Sequence, residues 1–174
     1  MLYLIRTADG GYAMAGPTSS FGAGGQDYWL VKTDGSGNMQ WNKTYGGTGA
    51  DMGWNVVQTI DGYALGGYTS SFGAGAQDFW LVKTDAVGNA QWNQTYGGAG
   101  NDAIQCLIQT SDRGYFLTGS TASFGAGGKD AWLVKVDENG VIPEGLTIVV
   151  IMLLSSIAAL IGTLYFRKPP RITK

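Results

Sequence analysis

Short runs in which apolar and polar residues alternate follow one another along the chain as far as Gly140. The middle of the chain shows four of them: WNVVQT from Trp54, YALGGYTS from Tyr63, DFWLVKTD from Asp78 and NAQWNQTY from Asn89. We call them segments A, B, C and D. Clusters of Asp, Gly, Asn and Ser separate them. Period-two alternation bounded by such turn residues predicts antiparallel β-strands joined by hairpins.

The segments differ in how many of their faces are apolar. In segment C residues 79–82 are all apolar, so both faces of this strand are apolar, which is typical of a strand between two layers. In segment D, Trp92 and Tyr96 share one face, whereas Asn93 and Thr95 lie on the opposite, polar face. Segment B is rich in Gly and Ala, which suits a place where backbones approach closely.

The set of segments occurs three times along the chain, with a period of about 51 residues. Trp29, Trp80 and Trp132 mark the three copies of segment C. The third copy has no recognisable segment D, because Pro143 and Glu144 stand where the first copy has Gln and Trp. The repeats are therefore residues 1–52 (strands A–D), 53–103 (strands A–D) and 104–140 (strands A–C, incomplete).

Four antiparallel strands per repeat, with a small-residue second strand and a doubly buried third strand, form the pattern of a β-propeller blade. We therefore predict an all-β chain that forms a partial β-propeller of about 2.75 four-stranded antiparallel blades. Since propellers close with ~4–8 blades, we expect either the C-terminal part of a longer propeller or a homo-oligomer whose chains complete the ring.

An uncharged apolar run from Gly145 to Phe166 follows the repeats. About 20 apolar residues suffice to span a bilayer as a helix. We predict a linker at 141–145, one C-terminal transmembrane helix at 146–166 and a basic cytoplasmic tail at 167–174. The positive-inside rule then places the acidic repeats outside the cell membrane. The alternative is a buried core helix, for which an all-β repeat chain offers no place. No signal peptide is visible at the N-terminus, so export needs an upstream signal or the tail itself.

Composition narrows the classes of function. The chain contains no His and a single Cys, which excludes a disulfide framework, a Cys/His zinc site and a His-based triad within it. Residues 1–145 carry seven Lys and Arg against thirteen Asp and Glu, so the body is acidic and nucleic acid is not expected as a partner. We expect no cofactor and no metal.

The stretch DGGYAMAGPTSSFGAGGQDYWLVKTDGSGNMQWNKTYGG, which begins at Asp9, resembles the β-propeller repeats of bacterial and archaeal surface proteins. The resemblance covers residues 1 to about 140 and implies a propeller fold and an extracellular setting, but no activity. Kelch repeats have a similar period and a Gly-Gly doublet. Here Gly66-Gly67 becomes Ala15-Gly16 and Thr118-Gly119 in the other copies, so the kelch signature is not sustained.

The C-terminal segment is similar to the sorting tails of archaeal surface proteins, which join a Pro-Glu-Phe or Pro-Gly-Phe motif, a hydrophobic helix and a basic end. Pro143-Glu144-Gly145 departs from both motifs at one position. The resemblance implies membrane anchoring and leaves processing of the tail open.

Three sets of repeated polar residues are candidates for chemistry. The FGAGGQD loops lack phosphate-loop spacing and a following helix. We therefore expect the acids of these loops to accept hydrogen bonds from turn amides. The acids that open the C-to-D turns are expected to close those turns, with a calcium site as the alternative. The lysines at the end of segment C are expected to pair with Asp or to reach the end of the blade, with a lysine-lined channel as the alternative. These sets are Asp27, Asp78 and Asp130; Asp34, Asp85 and Asp137; and Lys32, Lys83 and Lys135.

Two further features concern modification and reactivity. Asn42 and Asn93 each begin an N-x-T acceptor at the same place in segment D, so both are glycosylation candidates in an exported chain. Duplication of a polar strand explains the pairing equally well. Cys106 lies in the third copy of segment A and is expected to be a buried, inert residue.

These observations predict a membrane-anchored extracellular β-propeller that acts as a surface scaffold or a binding module for a protein or carbohydrate ligand. The alternative is a hydrolase or lyase whose active site lies in the channel of the complete propeller. We do not expect an enzyme, because catalysis needs a differentiated set of residues, and nearly every polar residue here is copied between repeats.

Overall fold

The computed structural model describes residues 2–144 and 149–151, which form three four-stranded antiparallel sheets. Sheet 1 contains β1 (Tyr3–Arg6), β2 (Tyr12–Thr18), β3 (Asp27–Thr33) and β4 (Met39–Tyr45). Sheet 2 contains β5 (Asp51–Thr59), β6 (Gly62–Thr69), β7 (Asp78–Asp85) and β8 (Ala90–Tyr96). Sheet 3 contains β9 (Asp102–Gln109), β10 (Tyr115–Thr121), β11 (Asp130–Val136) and β12 (Val149–Ile151). Each sheet is a simple meander in chain order. The predicted all-β repeat structure is confirmed.

The predicted segments coincide closely with the strands. Segment C is β7 itself, and segments B and D agree with β6 and β8 to within one residue at each end. Strand β5 begins three residues before segment A, because a register shift between Gly53 and Asn55 leaves Trp54 out of the pairing. The bulge lets the strand continue back to Asp51.

Two apolar cores lie between consecutive sheets. The first joins Tyr28 and Leu30 of sheet 1 to Leu65 and Trp80 of sheet 2. The second joins sheets 2 and 3 in the same way. Strand β7 is buried along nearly its whole length, because Trp80 and Val82 enter the first core while Phe79 and Leu81 enter the second. The prediction that both faces of segment C are covered is confirmed.

An aromatic pair anchors each junction. The ring centroids of Tyr28 and Trp80 are 4.6 Å apart, and the Tyr28 hydroxyl donates to the Trp80 carbonyl over 3.0 Å. Phe79 and Trp132 repeat the ring contact at 4.6 Å without the hydroxyl. Such pairs contribute about 0.5–1.5 kcal/mol beyond their buried area. Gly67 makes the approach possible, since a Cβ atom on it would lie 2.8 Å from the Tyr28 hydroxyl oxygen.

The C-terminal predictions lie almost entirely outside the described residues. Of the predicted transmembrane helix at 146–166, only residues 149–151 are described, and they form β12 against β11 with Val150 opposite Trp132. The rest of that helix and the basic tail at 167–174 lie outside the described part of the chain.

Within residues 2–144 and 149–151 there is no helix of sufficient length and apolar character to cross a membrane.

Candidate functional site

The acids of the glycine-rich loops lie at the junctions between sheets. Asp27 is 1 % exposed, and its Oδ2 accepts a hydrogen bond from the Ala23 amide over 2.8 Å. Asp78 is equally buried, and its Oδ2 accepts from Ala74 at 2.8 Å and Gly75 at 3.2 Å. The predicted turn-amide bonds are therefore present in the first two copies. Asp130 differs, because its buried Oδ2 has no partner among the described residues.

Each of these two acids faces a second buried acid from the next sheet. The point where a Cβ atom on Gly46 would lie is 2.8 Å from Asp51 Oδ2 and closer still to Asp27 Oδ1. Gly97 has the same relation to Asp102 and Asp78. Glycine is therefore required at this place, because a side chain would overlap the carboxylates.

The two acids of the first pair differ in how well they are satisfied. Asp51 accepts hydrogen bonds from the hydroxyls of Thr69 and Ser71 and from the Gly47 amide. Asp27 Oδ1 is buried and has no donor among the described residues. Burial raises the pKa of Asp27, and the neighbouring charge of Asp51 raises it further against the lowering effect of the Ala23 amide. Asp78 has a raised pKa for the same reasons. The raised pKa favours the protonated form of Asp27.

The acids that open the C-to-D turns close those turns as predicted. Asp34 Oδ1 accepts from the amides of Ser36 and Asn38, each over 2.9 Å. Asp85 makes the equivalent bonds with Val87 and Asn89. The side-chain and amide donors of Asn38 hold the pKa of Asp34 below its usual value. Within the described residues no group of three or more His, Cys, Asp or Glu side chains could hold a metal ion.

The three repeated lysines each pair with an Asp of their own sheet, which confirms the prediction of an ion pair. Lys32 lies 2.7 Å from Asp9, and Lys83 lies 2.7 Å from Asp61. Lys83 Nζ also donates to the Thr84 carbonyl at 2.8 Å and to Gln91 Oε1 at 2.9 Å. The hydrogen bond from Lys83 lowers the pKa of Asp61. In sheet 3 the pair is Lys135 with Asp112, and bonds from Thr110 and Lys135 lower the pKa of Asp112 to about 2.

The glycosylation candidates lie on exposed positions of the fourth strands. Asn42 Oδ1 accepts a hydrogen bond from the Trp29 indole over 3.2 Å, and Asn93 Oδ1 accepts one from Trp80 over 3.1 Å. These bonds fix the amide group, and the Asn93 nitrogen that would carry a sugar has no hydrogen bond within the described residues. The Trp132 indole in sheet 3 has no such Asn and is buried without a partner in the described part of the chain.

The prediction that Cys106 is buried is wrong. The side chain is exposed rather than buried, and it is a free thiol. Its counterpart Asn55 is buried because its Nδ2 donates to the Gln105 carbonyl of the next sheet over 3.0 Å. In the described residues no further sheet covers Cys106, so burial at this position is a property of the junction and not of the strand.

An open cleft lies between the ends of sheets 2 and 3. Its lining is polar and includes the Lys83–Asp61 pair and a second pair in which Arg113 lies 3.7 Å from Glu138. Burial raises the pKa of Tyr115, which also lines the cleft, to about 12. The raised pKa of Tyr115 and the lowered pKa of Asp61 move both groups away from the neutral range in which general acid–base catalysis works best.

The sequence patterns alone did not identify the facing acids or the cleft. Asp27 and Asp51 lie in different sheets, and only the stacking of sheets brings them together. A signal was present nonetheless, because a Tyr-Gly-Gly motif recurs that ends four residues before Asp51 and Asp102. Arg113 was visible as the one charged residue in a turn position that is otherwise glycine.

No known protein-family profile matches this chain. A search of curated proteins likewise finds no match.

Proposed function

We propose that the chain forms consecutive blades of a β-propeller that is held at the outer surface of a membrane and serves as a scaffold or binding module. The observation that supports the propeller is the equivalence of the two junctions, in which the same aromatic pair and the same acid pair recur. The all-β strand order supports blades rather than a sandwich, because each sheet is a separate four-stranded meander.

Membrane attachment is supported by the uncharged run from Gly145 to Phe166 and the four basic residues after it. Residues 149–151 would have to leave β12 for the helix. If they stayed in β12, the remaining run of about 15 apolar residues would reach only about 22 Å at 1.5 Å per residue. The hydrocarbon core is about 30 Å thick. The proposed anchored form therefore releases β12 from the edge of sheet 3.

The binding role is supported by the cleft between sheets 2 and 3. Its charged groups are paired, and its polar groups are copied from the other repeats except for Arg113, Glu138 and Asn139. A polar ligand such as a carbohydrate or an acidic or basic peptide segment fits this chemistry.

The experiment is alkaline extraction of membranes from cells that make the full chain, with protease added outside to test exposure of the repeats. Two buried charges, Leu154→Lys with Leu160→Lys, should release the chain from membranes, since each charge near the helix centre costs about 2.5–3.5 kcal/mol. The matched control, Leu154→Val with Leu160→Val, should remain in the membrane. Release of the unaltered chain by alkali, or protection of its repeats from external protease, would refute the proposal.

A further inference from the structure

Each junction joins two different faces of a sheet. We call the face that meets the following sheet the leading face and the face that meets the preceding sheet the trailing face. The first junction joins the leading residues Ala13, Ala15, Tyr28 and Trp41 to the trailing residues Val56, Tyr63, Leu65, Trp80 and Val82. The second joins Ala64, Phe79, Trp92 and Tyr96 to Leu107, Tyr115, Leu117, Trp132 and Val134.

The fourth strand of the leading sheet makes two contacts that recur at both junctions. Trp41 packs edge-on against Tyr63 with ring centroids 5.8 Å apart, and Trp92 packs on Tyr115 at 6.0 Å. At each junction a tyrosine hydroxyl also donates a hydrogen bond to a turn carbonyl of the next sheet. Tyr45 donates to Gly88 over 2.6 Å, and the second junction has the same bond from Tyr96 to Gly140. Both contacts therefore belong to the repeat and not to one junction.

The trailing face of sheet 1 carries the same set of residues without a preceding sheet. It consists of Leu4, Tyr12, Met14, Trp29 and Val31, which match the trailing residues of sheet 2 in order. Leu4 is 62 % exposed and Tyr12 is 37 % exposed, whereas their counterparts Val56 and Tyr63 are 0 % and 3 % exposed. Together with Thr33, four of these residues line an apolar hollow.

The turn at Gly37 shows which side chain this face is shaped to receive. A Cβ atom on Gly88 would lie 2.7 Å from the Trp41 ring, and one on Gly140 would lie 2.8 Å from the Trp92 ring. The matching glycine of sheet 1 is Gly37, and nothing lies within 4 Å of its Cβ position. No hydroxyl within the described residues donates to its carbonyl. The trailing face of sheet 1 therefore has the open space that a Trp ring fills at the other junctions, and it has the turn carbonyl that accepts a Tyr hydroxyl there.

The leading face of sheet 3 does not fit that seat. Phe116 stands where the other leading faces have Ala13 and Ala64, and Ala131 stands where they have Tyr28 and Phe79. Close approach needs small residues, because a Cβ atom on Gly66 would already lie 3.2 Å from Ile104. Thr118 occupies the position of Gly66 in sheet 3, and no Trp follows Trp132. Sheet 3 is thus an atypical terminal repeat on its leading face.

We propose that the trailing face of sheet 1 docks a further sheet of this repeat. The occupant carries small residues on its second strand, Tyr or Phe on its third strand and the W-N-x-T-Y sequence on its fourth strand. The inference rests on the proposed propeller and deepens it, because it excludes sheet 3 of a second copy as the occupant.

The test uses the full chain in non-ionic detergent, extended at its N-terminus by a second copy of residues 1–52. The added copy carries Met14→Leu and Met39→Ala, the residues that sheet 2 has at these positions, so that only the original chain supplies the peptides that are followed. Oxidation of Met14 in the original chain is followed by mass spectrometry after a peroxide pulse. Met39, which is 61 % exposed on the edge strand β4, is the internal reference. We expect the extension to slow oxidation of Met14 several-fold and to leave Met39 unchanged.

The matched control is the same extension with Ala13→Phe, Ala15→Thr and Tyr28→Ala in the added copy only, which gives it the leading face of sheet 3. This control should not protect Met14. Equal protection by both extensions, no protection by either, or a dimer of the unextended chain in which Met14 is protected would overturn the proposal. Membrane insertion does not affect this readout, so the extraction experiment and the oxidation experiment fail independently.

Discussion

Replacement of Asp27 by Asn should stabilise the protein at neutral pH. Asp27 Oδ2 already accepts the Ala23 amide, whereas Oδ1 is buried without a donor and faces Asp51 Oδ2 across Gly46. An Asn at this position keeps an oxygen for the Ala23 amide and places an NH2 group where Oδ1 lies. The substitution therefore removes the repulsion between the Asp27 and Asp51 carboxylates and offers Asp51 an N–H donor in place of an acceptor.

The size of the effect follows from the groups involved. A hydrogen bond to a charged group contributes about 1.5–3 kcal/mol. Part of this is offset, because the amide has to leave water and because Asp51 Oδ2 already accepts bonds from Ser71 and Gly47. We therefore expect a net gain of about 1–2 kcal/mol in the free energy of unfolding at pH 7.

The pH dependence has a definite sign. Burial raises the pKa of Asp27 in the folded protein above its unfolded value. The stability linked to a raised pKa is fully present below the unfolded pKa of about 3.9 and is lost as pH rises through the folded pKa. The unaltered chain undergoes this loss as pH rises above about 3.9 through the raised pKa of Asp27, but the Asp27→Asn variant does not. The advantage of the variant should therefore be small near pH 4 and grow towards neutrality.

The assay is urea unfolding of both proteins in non-ionic detergent, followed by tryptophan fluorescence at several pH values. Asp34→Asn is the control, because the contribution of Asp34 to stability should change with pH in the opposite direction. The hydrogen bonds of Asn38 lower the pKa of Asp34, so its contribution to stability is present at neutral pH and is lost as pH falls through the folded pKa. If Asp27→Asn destabilises the protein at pH 7, or if its stability difference from the unaltered chain is independent of pH, the interpretation of Asp27 as a buried acid with a raised pKa is wrong.

Three further predictions concern other repeated contacts. Lys83→Met should lower the free energy of unfolding by about 1–3 kcal/mol, because Gln91 and the Thr84 carbonyl lose their buried donor; urea unfolding would measure this, and an unchanged midpoint would contradict it. Tyr96→Phe should cost about 1 kcal/mol through loss of the bond to Gly140, whereas Tyr3→Phe on an exposed strand should cost nothing measurable. Exported protein should carry sugar on Asn42 and Asn93, and Thr95→Val should abolish it at Asn93 alone; unmodified peptides spanning both sites would refute this.

The strands could be predicted from sequence because their signals are local. The short apolar run of residues 79–82, together with the flanking Gly and Asp clusters, located β7 to the residue. The ion pair of Lys83 was foreseeable too, since a buried amine needs a partner and an Asp recurs beside each second strand.

The contacts between sheets could not be predicted in the same way, because the stacking of whole sheets joins residues that are distant in sequence. The separation is 24 positions for Asp27 and Asp51 and 52 positions for Tyr28 and Trp80. The alignment of repeats matched Asn55 with Cys106 correctly, yet one is buried and the other exposed. Burial at that position depends on the next sheet and not on the residue's own strand. The same limit applies to the acids, whose turn role was visible while their pairing was not.

Arg113 lowers the stability of sheet 3, because it places a charged side chain at a turn position that favours glycine. It occupies the position of Gly10 in sheet 1 and adopts φ 64°, a left-handed conformation that costs a non-glycine residue about 1–2 kcal/mol. Its ion pair with Glu138, at 3.7 Å between two side chains that are each more than half exposed, offsets little of this.

Arg113→Gly should therefore raise the free energy of unfolding by about 0.5–1 kcal/mol, once the larger entropy of an unfolded glycine is deducted. Gly10→Ala is the mirror control: it has open space but φ 85°, so strain alone should destabilise it by about 1 kcal/mol. Urea unfolding measures both, and a less stable Arg113→Gly variant would show that the guanidinium supports the fold. A more stable one would mean that Arg113 is kept for the cleft it lines. Binding by this protein should then be sought at the junction of sheets 2 and 3.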